Sequence, residues 1–258
     1  KKQIMEITQI RNATILITYV DVKFLVDPML GPKGCMKPFP FSKRQDQRNP
    51  LNDLPFQKEK VLEGVDAVIL THLHEDHVDE TAYEVIPKTM KIFVQDDKDK
   101  GIVERKGFKD VEILSESTTF KGVKLIKTPG QHGHFPMRLA AGHTCGVVFE
   151  GNGEKILYLV GDTIWFKGVS QTIAKYRPEI ILVNGGGNKF HIGGPVIMAT
   201  KDILKVHEAA PEAMIISTHM EGVNHWSVSR KELADFAKTH KFSDKLLIPL
   251  DGETIIEL

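Results

Sequence analysis

VDAVILTHLHEDHVD, residues 65–79, joins an unbroken apolar run to a dense cluster of imidazoles and carboxylates. Val65 to Leu70 has the continuous apolar character of a strand buried on both faces. The polar cluster starts at Thr71, directly past the end of that strand. His72 and His74 stand two apart, so on extended backbone their side chains leave the same side and can grip one ion together. Asp76 and His77 follow within a tight turn and add a hard oxygen and a further nitrogen. Imidazole with carboxylate suits zinc, and also manganese or iron, better than calcium or magnesium. The competing reading is a solvated His-rich turn. The buried strand before it argues against that, as do further ligand types at later strand ends.

Outward from this stretch, Thr14 to Val20 and Val22 to Asp27 are β-branched and aromatic runs of strand length, and Pro28 stops the second. Residues 31–56, GPKGCMKPFPFSKRQDQRNPLNDLPF, are rich in Pro, Gly and basic residues without periodicity. They are expected to form one long loop insertion, either a functional lid or a plain surface excursion. Further strands are expected at Lys91 to Val94, Val123 to Thr128, Thr144 to Glu150 and Lys155 to Val160, with EGNG at 150–153 as a hairpin turn. The pattern then alternates: a helix near Val169 to Tyr176, a strand Glu179 to Asn184, a helix near Thr200 to Ala209, a strand Ala213 to Thr218 and a helix near Ser229 to His240. Ser229 and Glu232 have capping-box spacing at the start of the last helix. A closing pair, Leu246 to Leu250 and Glu253 to Ile256, is expected to turn at Asp251-Gly252. Strand runs followed by strand-helix alternation, twice over and without a linker, predict one α+β domain over residues 1–258. Its architecture would be a four-layer αββα sandwich of two mixed β-sheets with helices outside.

Composition narrows the function. Lys plus Arg and Asp plus Glu both number 34, so no global basic field holds nucleic acid, and no nucleic-acid partner is expected. The two cysteines, Cys35 and Cys145, are too few for a disulfide framework and read as reduced thiols, a single bridge being the alternative. The start, KKQIMEITQI, alternates polar and apolar residues instead of entering an apolar signal region, and no stretch approaches the roughly 18 apolar residues of a membrane span. A cytoplasmic, soluble protein without membrane partners is expected. A small-molecule substrate fits this, and a homo-oligomer is compatible with it.

Three more candidate ligands follow expected strands. His132 sits in KLIKTPGQHGH after Val123 to Thr128, with His134 as its competitor. Asp162 follows KILYLV in GDT, where a carboxylate can bridge two cations or simply cap a turn. His219 ends AMIIST, and ligands collect at the carboxyl ends of sheet strands.

HLHEDH as HxHxDH, then TPGQH, GDT and THM resemble, in order and approximate spacing, the motifs of the metallo-β-lactamase superfamily over essentially the whole chain. THLHEDHVD, NPLNDLP and NGGG are similar to the branch of lactonases that open phosphorylated ascorbate. The resemblance implies the metallo-β-lactamase fold and a two-metal site, zinc first, then manganese or iron. By position His72, His74 and His132 would hold one ion and Asp76, His77 and His219 the other, with Asp162 bridging. Two such ions roughly 3.5 to 4 Å apart hold a hydroxide and polarise the bond it attacks. Asp76 would also orient this water.

The remaining candidates rest on weaker signals. His225, six residues past His219 and beside Trp226, is either a general acid or substrate contact, or a helix-flanking structural residue. His191 belongs to the Gly-rich NGGGNKFHIGG, where glycine permits close backbone approach to a ligand or merely turns the chain. Arg44, Arg48, Arg138 and Lys189 are the basic groups to weigh for an anionic substrate, each with a solvated surface role as the alternative. NGGG lacks the GxxxxGK[ST] spacing of a nucleotide triphosphate cradle. The leading expectation is a metal-dependent hydrolase of a small ester, lactone or phosphoester. Its competitors are di-iron redox chemistry, a phosphodiesterase or nuclease of the same fold, and a non-catalytic binding protein.

Overall fold

β-strand alternation places residues on two faces, and the second strand shows what each face is for: Ile15, Ile17 and Tyr19 point to one cluster of buried residues and Leu16 to another. The computed structural model describes residues 5–256. In it β1 (Glu6–Arg11), β2 (Thr14–Tyr19) and β3 (Val22–Val26) pair antiparallel in sequence order. The apolar run after Val65 narrows to β4 (Ala67–Ile69), wholly buried and parallel to β3. Next come β5 (Lys91–Val94) and β6 (Asp110–Ile113), also parallel. Helices α1 (Lys58–Leu62), α2 (Glu80–Val85) and α3 (Asp97–Arg105) lie in the connections. Asp79 and Asp96 cap α2 and α3 through their carboxylates, which accept from Ala82 N–H and Asp99 N–H.

The second sheet repeats the plan. β7 (Thr118–Phe120), β8 (Val123–Pro129), β9 (Cys145–Glu150) and β10 (Leu157–Leu159) are antiparallel, while β11 (Ile180–Asn184) and β12 (Met214–Thr218) continue parallel to β10. The short α4 (Met137–Ala141) interrupts the β8–β9 connection. Helices α5 (Lys167–Tyr176), α6 (Thr200–Ala209) and α7 (Arg230–Thr239) join the parallel strands, and α7 opens on the Ser229–Glu232 capping box. Each mixed sheet has seven strands among the described residues.

Inner faces of both sheets merge in one core: Ile17, Phe24 and Phe93 meet Leu125, Phe149 and Ile216, and the Phe24 and Phe149 rings pack edge-on at 5.5 Å. Two outer clusters fill the space between each sheet and its helices. The αββα expectation is met. No helix of the described residues is long and apolar enough to cross a membrane.

The closing pair departs from expectation. β13 (Leu246–Leu247) lies beside β12 in the second sheet, whereas β14 (Thr254–Ile256) lies beside β1 in the first. Asp251-Gly252 therefore links sheets and is not a hairpin tip. Pairing with two existing sheet edges gives each strand a larger apolar partner than the other could, and Arg230 fixes the crossing by bonding Asp251 Oδ1 at 2.8 Å and the Pro249 carbonyl at 3.1 Å.

Residues 31–56 are loop, as expected, with one isolated bridge between Met36 and Asn49. Their inner part is pinned. Asn224 accepts from Phe39 N–H (2.8 Å) and Asn49 Nδ2 (3.0 Å) and donates to the Lys43 carbonyl (2.8 Å), Ser42 Oγ (3.0 Å) and the Phe39 carbonyl (3.2 Å). Arg44 bonds the Asn224 and Trp226 carbonyls with its guanidinium 3.6 Å above the Trp226 ring. Such tethering holds this part of the loop against the segment that follows His219. Asn224→Ala should lower the unfolding free energy by about 2 kcal/mol and open residues 36–48 to protease, because it strands several buried polar groups at once. Urea denaturation and limited proteolysis measure both; wild-type behaviour in each would show that the tether does not hold the loop.

Candidate metal centre

Strands β4, β8, β10 and β12 all deliver their carboxyl ends to one edge of the sandwich, and each is followed by candidate ligands. After β4 the chain turns tightly, His77 N–H and Val78 N–H both donating to the His74 carbonyl at 2.9 Å, so His72, His74, Asp76 and His77 face one region. Gly161, just before Asp162, has φ +73 and passes so near the Cys145 carbonyl that a methyl group there would lie 2.4 Å from its oxygen. Only glycine brings Asp162 in this way.

The side chains converge on three mutually close sets: His72, His74 and His132; His72, His77 and Asp162; Asp76, His77 and His219. Nε2 of His72 is 3.0 Å from Nδ1 of His74, and Nε2 of His77 is 3.2 Å from Nε2 of His219. Asp162 lies between the sets. Its Oδ2 is 3.1 Å from His77 Nε2, 3.6 Å from His132 Nε2 and 3.9 Å from His72 Nε2, and its Oδ1 is 3.7 Å from His219 Nε2. Asp76 Oδ2 is 3.3 Å from His219 Nε2. All seven sequence candidates for the metal meet here, whereas His134 is exposed on the surface.

Hydrogen bonds on the far side of the rings decide which nitrogen carries the proton. Asp27 accepts from Thr71 N–H (2.8 Å) and Thr71 Oγ1 (2.7 Å), and its Oδ2 faces Nδ1 of His77 at 2.8 Å. With the Thr71 hydroxyl spent on Asp27, Nδ1–H of His72 donates to Thr71 Oγ1 at 3.2 Å. Nδ1–H of His132 donates to the Val196 carbonyl at 2.9 Å. Three rings thus turn an Nε2 lone pair inward, the tautomer a cation requires. This donor set fits divalent cations.

Electrostatics divide the rings: His72 and His74 are held neutral, whereas His77 favours its proton until a cation displaces it. Burial lowers the pKa of His72, reinforced by His77 and His74. Burial, then His132, lowers His74. For His77 burial alone would do the same, but Asp162 and Asp27 overcome it and raise the value well above normal. Burial would raise Asp162, yet His77 and His219 hold it well below the carboxylate range. Asp76 is likewise held low, burial being outweighed by His219 and His77. A cation therefore finds ionised carboxylates beside neutral His72 and His74, and at His77 it takes the place of the Nε2 proton that Asp162 and Asp27 favour.

A family model described as a beta-lactamase superfamily domain matches residues 23–220. The chain belongs to that superfamily. It is 51% identical to protein YddR of Bacillus subtilis over 97% of this chain and 99% of that one. Two solved structures are also similar over nearly full length. An isothiocyanate hydrolase from Delia radicum gut bacteria has 41% identity, a TM-score of 0.93 and coverage of 97% and 98%. A possible metal-dependent hydrolase from Veillonella parvula has 40% identity, a TM-score of 0.96 and coverage of 99% and 100%. This superfamily member is a metal-dependent hydrolase.

The hydrolase's centre opens into a cavity of about 700 Å³ that exposes His74, Asp76, His132 and Asp162. Phe39, Phe41, Leu73, Met137, Phe190, Ile192 and Val196 form most of the remaining wall. His225 and His191 line it too, but Arg44, Arg138 and Lys189 do not. Arg44 is committed to the wall's tether, Arg138 is exposed on α4, and Lys189 is exposed while its N–H donates to the His225 carbonyl at 3.0 Å. Arg48 bonds the Gly34 and Cys35 carbonyls. Phe190 stacks on the His225 ring, Phe39 meets it edge-on, and Asn188 Nδ2 lies 3.3 Å from its Nε2. Burial drives His225 down to about 4.

Several contributors carried no motif. Asp27 directly follows β3 and Asn184 ends β11, so the strand-end rule that found Asp162 would have flagged both; Asn184 Nδ2 donates to Asp162 Oδ1 at 2.6 Å. NGGG now has a use. A methyl on Gly186 would lie 2.2 Å from the His219 carbonyl oxygen. Gly186→Ala should therefore displace His219 and weaken zinc binding about 10- to 100-fold in a competitive chelator titration; unchanged affinity would show the packing is slack.

The His225 shift also has a sign. The unfolded ring takes a proton near pH 6.5 while the folded ring resists until about 4, so metal-free protein loses stability as pH falls through that window and no more below it. Urea melts of wild type and His225→Gln should diverge there, wild type falling faster; parallel curves would contradict the buried neutral ring.

Proposed function

We propose that this hydrolase is binuclear and acts on a small, uncharged electrophile with an apolar body, such as an isothiocyanate, an ester or a lactone. The observation that carries the reading is the cavity wall: aromatic and aliphatic side chains lead to the ligand cluster, and no lysine or arginine lines the way. A phosphoester would reach this centre without the guanidinium or ammonium partner that anionic groups call for. The phosphorylated-lactone branch fits less well for the same reason. The similarity to an isothiocyanate hydrolase at 41% identity supports the choice of a neutral heterocumulene.

His72, His74 and His132 would hold one cation and Asp76, His77 and His219 the other, with Asp162 serving both. When bound, two such cations supply a hydroxide at neutral pH and polarise the bond under attack. The chain's own groups do the rest. Asp76, held ionised and facing the cavity, accepts a hydrogen bond from the attacking water and orients it, being too weak a base to take its proton outright. Phe39, Phe190 and Val196 receive the apolar body and exclude bulk water. For an isothiocyanate the water oxygen bonds to the central carbon, the carbon–nitrogen bond breaks, and both water protons go to nitrogen. A primary amine and carbonyl sulfide leave.

Zinc- and manganese-loaded protein should turn over benzyl isothiocyanate or phenyl acetate at least about 100-fold faster than bis(p-nitrophenyl) phosphate, given the catalytic cost of leaving a charged group without its partners. His132→Ala should abolish turnover. A preference for the phosphodiester would overturn the neutral-substrate reading.

A further inference from the structure

Asn12 forms the tight turn between β1 and β2, is completely buried and has φ +54, a conformation that asparagine tolerates better than most residues. That turn reaches the metal centre. Asn12 Nδ2 donates to the Asp76 carbonyl at 3.0 Å and lies 3.4 Å from His219 Nε2. Its own carbonyl accepts the His219 N–H at 2.8 Å and Gln9 Nε2 at 3.0 Å. Gly222 packs against it so closely that a methyl group there would lie 2.8 Å from both its Cβ and its Oδ1.

Asp76 comes from the loop after β4 in the first sheet and His219 from the end of β12 in the second. His219 also holds a left-handed backbone, φ +55, which costs energy in a histidine and persists only when its surroundings enforce it. One buried residue is therefore bonded to two members of the Asp76, His77 and His219 set, from opposite halves of the sandwich. We propose that Asn12 is a positioning residue for the second cation, clamping Asp76 and His219 at ligating distance across the seam between the sheets. Its hydrogen bonds run to that set, so its loss weakens the second cation and spares the first. The inference rests on the binuclear reading above.

Two roles of Asn12 need separating, since its left-handed backbone alone shapes the turn. Asn12→Gly keeps the turn and deletes the amide; Asn12→Asp keeps the shape and sets an acceptor against the Asp76 carbonyl. Zinc titrations of the metal-free full chain against a chromophoric chelator, with metal analysis after desalting, read both sites. Wild type should bind two zinc ions, and each variant should lose about 10- to 100-fold in affinity for one of them, the usual effect of removing an outer-shell partner. In a His132→Gln background, where only the second set is whole, adding Asn12→Gly should remove the tight ion that remains. In a His219→Gln background it should change nothing. Wild-type binding by Asn12→Gly, or equal weakening of both ions, would overturn the inference while leaving the binuclear reading intact. A wild-type stoichiometry of one would overturn both.

Discussion

Five imidazoles and two carboxylates share a buried seam where two sheets meet, and such a cluster is stable only if each inward lone pair finds an electrophile. Desolvation penalises every charge placed there, so the fold has to neutralise the cluster collectively. It does so from outside with Asp27, Thr71, Asn184 and the Val196 carbonyl, which fix tautomers and carboxylate orientations before any ligand arrives. A divalent cation then completes what those contacts prepare. The rest of the molecule follows from this requirement. Both sheets must bring strand ends to one edge, and glycines must sit where the backbone crowds those ends, as at Gly161 and Gly186.

The cavity is the second consequence. Pinning residues 39–49 to Asn224 and Trp226 costs the loop conformational freedom and sets Phe39 beside His225. Arginine in that loop is thereby turned into scaffold. Arg44, attractive in the sequence as an anion contact, satisfies two carbonyls and covers an indole. A wall without lysine or arginine offers shape and apolar contact for selection, and the proposal of a neutral electrophile rests on that.

Much of this was legible in the residues. The metal set is local in HLHEDH and otherwise sits just past strands, so strand ends flagged Asp162 and His219 and left His132 and His134 as alternatives, and the family resemblance then implied the full set. Asp27 escaped because it closed an expected strand with no motif around it, and Asn12 because a β-turn asparagine has a common backbone explanation. Short α2 and α3 were invisible as amphipathic patterns; their starts are marked by single aspartate caps, a weaker signal than a long apolar stripe. The terminal strands were misjoined because Asp-Gly between short apolar runs favours a hairpin locally, while two open sheet edges offered better partners.

Anomalous diffraction from crystals grown with zinc, collected at the zinc edge, tests the central claim most directly. Two peaks are predicted, one enclosed by His72, His74 and His132 and the other by Asp76, His77 and His219, with Asp162 reaching both. A single peak among His72, His77 and Asp162, the third close set in the seam, would contradict it.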